Sequence, residues 1–204
     1  MQLTLQKKRQ RADLLTLAAV AALFLALAAL LYAGLLNRQM TNMLVPTAVY
    51  IVMAVSLNLV VGLLGELSLG HAGFMSVGLF SGCLVSIALS SSPLLLGLRL
   101  PLSMLAGGLV AAVFGLLVGL PALRLRGDYL AIVTLACGEI IKNIITNLNF
   151  TGGALGLNTS AIYAGAKDLL PYGAVLVLLT VAVMLNLKRS KYGRAIMAIR
   201  DNRI

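Results

Sequence analysis

The sequence predicts an all-α fold, a polytopic transmembrane helical bundle of about six spans with a broken or bent segment near residues 62–75. Composition is the first observation behind this prediction, because 60% of the residues are hydrophobic and 11% are charged, whereas soluble domains are about 45–50% apolar. Uncharged stretches of the roughly 20 residues that cross a bilayer recur along the chain. The basic residues lie mostly at the chain ends and in one short loop.

The spans are assigned from the uncharged stretches. The first stretch follows a basic cluster and exceeds the ~7–15 apolar residues of a signal peptide, so it is predicted to be a retained span. Pro46 falls in the first turn of the second predicted span, where a missing N–H is tolerated. The predicted spans are residues 14–36, 43–64, 69–90, 102–120, 129–147 and 169–187.

The distribution of Lys and Arg predicts the orientation. Twelve of the sixteen fall on one side of the membrane when the spans alternate, so both termini are predicted to be cytoplasmic. The net charge of +10 is therefore interpreted as topology and contact with anionic lipid, and no nucleic-acid partner is expected. Three regions follow: a cytoplasmic basic N-terminus (1–13), a transmembrane domain (14–187) and a cytoplasmic amphipathic basic segment (188–204).

A glycine-rich stretch carries the first candidate site. Residues 62–82 contain six glycines, interleaved with Glu66, Ser68 and His71. Glycine weakens a helix, and Glu or His at membrane depth is unfavourable unless it faces protein or water. Irregular backbone at depth is typical of a transport route. Glu66, Ser68 and His71 are therefore predicted to line a translocation path.

Two alternatives stay open for this stretch. The pairs Gly78/Gly82 and Gly115/Gly119 fit a simple role in close helix packing. His71 has no second titrating partner in the pattern, which favours a hydrogen-bonded structural group over a proton relay.

The fifth predicted span carries unusual charges. Glu139 and Lys142 stand three residues apart and share a helix face, so they are expected to pair. The functional alternative is that Glu139 and Asn143 line a polar seam beside the path. Beyond this span, Thr151, Gly152 and Gly153 form a predicted outer loop that docks a periplasmic partner or closes the outer mouth.

The end of the chain is predicted to be a short amphipathic helix on the cytoplasmic surface. Arg194, Arg200 and Asp201 are its candidate contacts with a cytoplasmic partner. The final helix reaches Ile204 with neither Gly nor Pro to close it, so we expect the sequence to continue in the complete protein.

Several classes of chemistry are not expected. A single histidine, two distant cysteines and the lack of zinc-ligand spacing argue against a metal site or a disulfide framework. The sequence has no G-x-x-x-x-G-K-[ST] and no G-x-S-x-G, so ATP binding of the P-loop kind and an enzyme site are not expected. No cofactor is predicted, and energy for transport must come from an ion gradient or another subunit.

Five motifs, in order over about 140 residues, resemble the branched-chain amino-acid ABC transporter permease family of the LivM type. They are residues 65–75 (GELSLGHAGFM), 121–135 (PALRLRGDYLAIVTL), 138–141 (GEII), 151–153 (TGG) with 156–157 (GL), and 190–195 (SKYGRA) with 198–202 (AIRDN). Glu66 departs from the family, which usually has Gln at this position, and this leaves the substrate range open.

The resemblance implies a permease subunit of the bacterial inner membrane. Its implied partners are a second permease of the LivH type, two cytoplasmic ATPase subunits and a periplasmic amino-acid-binding protein, and its implied substrates are Leu, Ile and Val. The family's coupling helix would begin just after residue 204, so the chain is expected to lack the family's C-terminal part. A truncated, non-transporting assembly subunit and a gradient-driven secondary transporter remain alternatives, and a membrane enzyme is least favoured.

Overall fold

A computed structural model describes residues 2–91, 96–122, 124–125, 127–159 and 165–201. These residues form seven α-helices and no strand. The helices are α1 (Gln2–Tyr32), α2 (Arg38–Asn58), α3 (His71–Ala88), α4 (Leu96–Ala122), α5 (Asp128–Asn147), α6 (Ala166–Arg189) and α7 (Lys191–Asp201). A π-helix (Leu59–Leu64) continues α2, and 3₁₀ turns occupy Leu89–Ser91, Asn149–Thr151 and Gly153–Leu155.

Six of the described helices, α1 to α6, are long and apolar enough to cross a membrane. This confirms the predicted fold class and the number of spans. The helix α7 is only 11 residues long and has one apolar face, which is typical of a helix that lies along a membrane surface rather than through it.

Four helices begin at least three residues earlier than the hydropathy pattern predicts. The helix α1 starts at Gln2 rather than at residue 14, and α6 starts at Ala166 rather than at residue 169. The helix α2 starts at Arg38, so Pro46 lies in its third turn and the predicted first-turn position is wrong. The helix α4 starts at Leu96 and includes Arg99 and Pro101, which the predicted spans leave in the loop before residue 102. Hydropathy marks where the apolar stretch begins, whereas a helix continues past it when a long charged side chain can reach the interface.

The predicted break in the chain is confirmed and narrower than predicted. The π-helix ends at Leu64, residues 65–70 are not helical, and α3 begins at His71. Gly65 has a φ of 74°, a left-handed conformation that favours glycine. Residues 71–75, which the prediction included in the bent stretch, belong to the first turns of α3.

The chain divides into two compact units, Met1–Leu64 with Ala164–Ile204, and Gly65–Tyr163. In the first unit α1 and α2 pack on α6. Asp13 of α1 forms an ion pair with Arg189 at the end of α6. The apolar core of this unit contains Phe24, Leu31, Ala48, Leu170 and Val177.

The second unit contains α3, α4 and α5, and α3 packs against both of the others. Val77, Ile141 and Ile145 form its buried core, with Phe74 and Phe80 packed against them. Because α3 begins at the non-helical stretch, this unit fixes the position of that stretch relative to α5.

Candidate functional site

Residues 65–70, which we call the bent segment, are anchored to α5 by a hydrogen bond. The backbone N–H of Leu69 donates to Oγ1 of Thr134 at 3.1 Å. The Thr134 hydroxyl in turn donates to the carbonyl oxygen of Ala131 at 3.0 Å. The Thr134 residue is buried, with 7% of its surface exposed. The Leu69 N–H, which has no helical acceptor in the bent segment, is therefore hydrogen-bonded to a neighbouring helix. Irregular backbone in a membrane requires such a partner.

Glycines allow the backbones to meet at this anchor. A Cβ atom on Gly70 would collide with the Thr134 carbonyl oxygen, and one on Gly73 would stand 2.7 Å from the Cα atom of Gly138. Real Cβ atoms do not approach that closely, so larger residues would force the start of α3 away from α5. The three glycines thus act as the small residues that permit close helix contact in membranes.

The bent segment carries the first three candidate path residues. Glu66 and Ser68 lie within it, and His71 is the first residue of α3. All three are half-buried. The glycine contact brings the end of this segment next to the middle of α5, on the buried face of that helix. The other two candidates, Glu139 and Asn143, lie on its exposed face.

The second half of α5 has two contrasting faces. Ile141 and Ile145 are buried against α3. On the opposite face Nζ of Lys142 lies 3.3 Å from Oε2 of Glu139, with 65% and 57% of the two side chains exposed. Asn143 is exposed on the same side. The predicted ion pair is therefore present, and it stands on the face that points away from the core of this unit.

The depth of this polar face matters for its role. At 1.5 Å per residue, Glu139 lies about 16 Å along α5 from Asp128, in the central part of a candidate span. Charged groups at such depth are unfavourable against lipid, even when paired. An exposed Glu139, Lys142 and Asn143 therefore need water or another protein beside them.

The predicted outer loop is tightly folded. Thr151 is buried, and its hydroxyl lies 2.6 Å and 2.7 Å from the carbonyl oxygens of Ile145 and Leu148. Gly152 has a φ of 81°, and a Cβ atom there would collide with the Gly156 carbonyl. Thr151 and Gly152 therefore fix the path of the chain after α5, while Gly153 is half-buried. The docking role of this loop stays a prediction.

The candidate contacts with a cytoplasmic partner, which lie on α7, differ in their surroundings. Nη1 of Arg200 donates to the carbonyl oxygen of Gly62 in the π-helix at 2.8 Å. Arg194 is exposed. The backbone of Asp201 ends α7, and its side chain lies outside the described residues, as do residues 202–204 of the predicted segment. Contact of these residues with a partner stays a prediction.

The two glycine pairs behave differently. Gly78 and Gly82 face α4, where a Cβ atom would lie 3.5 Å from the Gly107 carbonyl and 3.1 Å from that of Ser103, respectively. Close packing is thus their role within this unit. Outside their own helix, no described atom lies within 4 Å of the Cβ positions of Gly115 and Gly119, so the described chain gives this second pair no packing partner.

Sequence reasoning missed the anchor formed by Thr134 and Gly138. Thr134 stands in an apolar run and has no local signal of a contact 65 residues away. In the sequence, Gly138 stands out only as the first residue of the motif at 138–141. Small residues in a span do, however, favour close approach of two helix backbones. Within the described part of the chain, no group of three or more His, Cys, Asp or Glu is arranged to hold a metal ion.

Comparison with known proteins adds a family match. The family described as "Branched-chain amino acid transport system / permease component" matches residues 39–204. This range includes the bent segment, α5 and α7, and therefore every candidate residue discussed above. No solved structure matches the chain significantly.

Curated relatives agree with this match. The "High-affinity branched-chain amino acid transport system permease protein LivM" of Salmonella typhimurium and that of Escherichia coli are each 39% identical over 125 residues, 61% of this chain and 28% of the relative. A "Probable branched-chain amino acid transport permease protein LivM" of Methanocaldococcus jannaschii is 33% identical over 108 residues, 46% of this chain and 30% of the relative. The match thus spans less than a third of each relative's length.

Proposed function

Because this chain belongs to the family of branched-chain amino acid transport permease components, we propose that it is the membrane-spanning permease subunit of an ATP-driven importer for branched-chain, hydrophobic amino acids. It forms the translocation path together with a second permease of the LivH type. Two cytoplasmic ATPase subunits and a periplasmic amino-acid-binding protein complete the importer. The subunit lies in the inner membrane with both termini in the cytoplasm.

The polar face of α5 is the observation that carries this proposal. Glu139 is exposed in the central part of a candidate span, Lys142 and Asn143 are exposed in the turn that follows, and Ile141 and Ile145 of the same stretch pack against α3. A water-filled route satisfies these groups, whereas lipid does not. The bent segment is held by Thr134 against the opposite, buried face of this helix. Its irregular backbone at membrane depth, rather than contact with the polar face, is what assigns Glu66, Ser68 and His71 to the same route.

The proposed mechanism is a shift between two conformations. ATP binding to the partner subunits favours one arrangement of the two permeases, and hydrolysis releases it, so that the route opens alternately to each side. In this proposal the partner ATPase subunits supply the energy. Its own residues provide the polar lining that an amino-acid zwitterion crosses.

Uptake in proteoliposomes tests the proposal. The chain is purified with an affinity tag from the membranes of its own host, together with the subunits that remain bound, and reconstituted with the periplasmic fraction and labelled leucine. We expect uptake that requires ATP and persists after ionophores collapse proton and sodium gradients. Uptake driven by a gradient without ATP would establish a secondary transporter instead. A stable assembly that moves no leucine would establish a non-transporting subunit.

A pair of variants links uptake to α5. Replacing Asn143 with Leu removes a hydrogen-bonding group from the proposed lining, and a loss of about 1–1.5 kcal/mol corresponds to roughly ten-fold slower uptake. Ile144→Leu changes the next residue of the same helix, which is exposed and apolar, and it should leave uptake unchanged. Equal effects of the two variants would contradict the assignment of the polar face.

A further inference from the structure

A cavity of about 410 Å³ lies in the first unit, where the π-helix, the end of α6 and the second half of α7 meet. It falls in the range of about 300–1,000 Å³ that is usual for small-molecule sites. Its lining residues are Asn58, Gly62, Leu63, Met184, Leu185, Lys188, Met197 and Arg200. We refer to it as the interface cavity.

The interface cavity has an apolar floor and a basic rim. Leu63 is buried, and Met184, Leu185 and Met197 are half-buried. Lys188 and Arg200 are both exposed, and no lining residue carries a carboxylate. Such a surface fits a ligand with a negatively charged head and an apolar body. An amino acid fits poorly, because nothing in the lining carries a charge opposite to its ammonium group.

The basic rim is held in place by the fold. Nη1 of Arg200 donates to the Gly62 carbonyl at 2.8 Å, which ties α7 to the π-helix. Ser190 begins the turn between α6 and α7, and its Oγ accepts the N–H of Gly193 at 3.0 Å. A Cβ atom on Gly193 would collide with the Leu187 carbonyl, so α7 turns closely against the end of α6. Arg200 is thereby brought to the same cavity as Lys188.

The position of the interface cavity along the spans indicates how deep in the bilayer its ligand lies. Gly62 and Leu63 lie in the last turn of the candidate span Arg38–Leu64, and Lys188 lies in the last turn of the span Ala166–Arg189. Two spans thus end at the cavity, and the short amphipathic helix α7 closes it. Phosphate headgroups lie at this level of a bilayer, and basic side chains there attract them.

We propose that the interface cavity binds one anionic phospholipid, with its phosphate between Lys188 and Arg200 and its acyl chains against Leu63, Met184 and Leu185. A free phosphate ion would use the basic rim but gain nothing from the apolar floor. A neutral lipid would use the floor but gain no net attraction from the two cations. Binding at this site is therefore more specific than the general attraction of basic residues to the membrane, because it requires the basic rim and the apolar floor together.

Native mass spectrometry of the purified chain tests the site, with phosphatidylglycerol as the probe and phosphatidylcholine as the neutral comparison. Lys188→Gln removes one cation from the rim, and Lys191→Gln removes an exposed cation three residues away that does not line the cavity. A basic residue near the surface contributes enough to change affinity by about five-fold. We expect K188Q to weaken phosphatidylglycerol binding by about this factor and K191Q to leave it unchanged. Equal weakening by both variants would overturn the proposal.

A third variant tests the cavity without removing a cation. Met197→Glu places a carboxylate beside the rim, where it competes with the lipid phosphate, and it should weaken binding at least as much as K188Q. Its thermal unfolding is compared with that of the unchanged chain, and K188Q decides the outcome if M197E does not fold. Displacement of phosphatidylglycerol by millimolar inorganic phosphate, or equally tight binding of phosphatidylcholine, would also overturn the assignment to an anionic lipid.

Discussion

At the scale of single residues, three glycines determine how closely the bent segment approaches α5. Gly70 and Gly73 present bare backbone to Thr134 and Gly138, and the hypothetical Cβ positions overlap with backbone atoms rather than with flexible side chains. Backbone atoms cannot yield without moving a helix. A methyl group at these positions therefore acts as overpacking, which is destabilising by about 1–3 kcal/mol in well-packed protein interiors.

The variant Gly73→Ala tests this contact. We expect it to lower the free energy of unfolding by about 1–3 kcal/mol, because the added methyl would stand 2.7 Å from the Cα atom of Gly138. Gly115→Ala is the matched control in a helix interior, since no described atom lies within 4 Å of its Cβ position. The control should leave stability unchanged or raise it by up to about 1 kcal/mol. Unfolding of the chain in mixed detergent micelles measures both, and similar destabilisation by the two variants would argue against the contact.

The sequence alone predicts only part of this contact between the bent segment and α5. Glycine density near residue 70 predicts irregular backbone, and this prediction is confirmed. The partner of that backbone depends on which helix packs beside it, and a contact between Leu69 and Thr134 spans 65 positions. Local pattern contains no information on that pairing.

At the scale of elements, α5 serves as the support on which the bent segment rests. Its buried face holds Thr134, whose hydroxyl accepts the Leu69 N–H, and further along it holds Ile141 and Ile145 in the core. Its opposite face is polar at Glu139 and Asn143. One helix thus fixes the irregular backbone on one side and presents polar groups on the other.

Removal of the Thr134 hydroxyl should loosen the bent segment. Thr134→Val keeps the shape of the side chain but leaves the Leu69 N–H without its acceptor. A lost hydrogen bond of about 1 kcal/mol corresponds to roughly five-fold faster hydrogen exchange at the Leu69 amide. Thr146→Val is the control, because the Thr146 hydroxyl bonds to the carbonyls of Lys142 and Asn143 in its own helix. Unchanged exchange at Leu69 in T134V would contradict the anchoring role.

The elements themselves follow largely from hydropathy, and their ends do not. All six predicted spans correspond to helices, since only helices satisfy the backbone of a long apolar stretch in lipid. The start of α2 at Arg38 and of α4 at Leu96 was missed, because polar and basic residues extend a helix beyond the hydrocarbon region. The shared helix face of Glu139 and Lys142 was predictable from their spacing, and their pairing is present.

At the scale of the whole molecule, the spans depend on their surroundings. Among the six candidate spans in the described residues, at most 28% of the most apolar stretch of a span is buried inside the chain. Apolar surface of this extent needs lipid or other subunits to cover it. The exposed surface of α5 also contains a charged pair, Glu139 and Lys142, in the interior of the span.

Cysteine accessibility in the chain purified with its bound subunits tests most directly the claim that the polar face of α5 borders water. Cys83 and Cys137 are first replaced with Ser, and single cysteines are then introduced at Ser68 and Asn143 on the proposed route and at Ile140 and Ile144 as controls on α5. A membrane-impermeant, water-soluble thiol reagent is applied with and without bound ATP. The account predicts that positions 68 and 143 react, at rates that change with nucleotide state, while 140 and 144 stay unreactive. If position 143 reacts no faster than position 144 in either state, the polar face of α5 does not border water and the account is wrong.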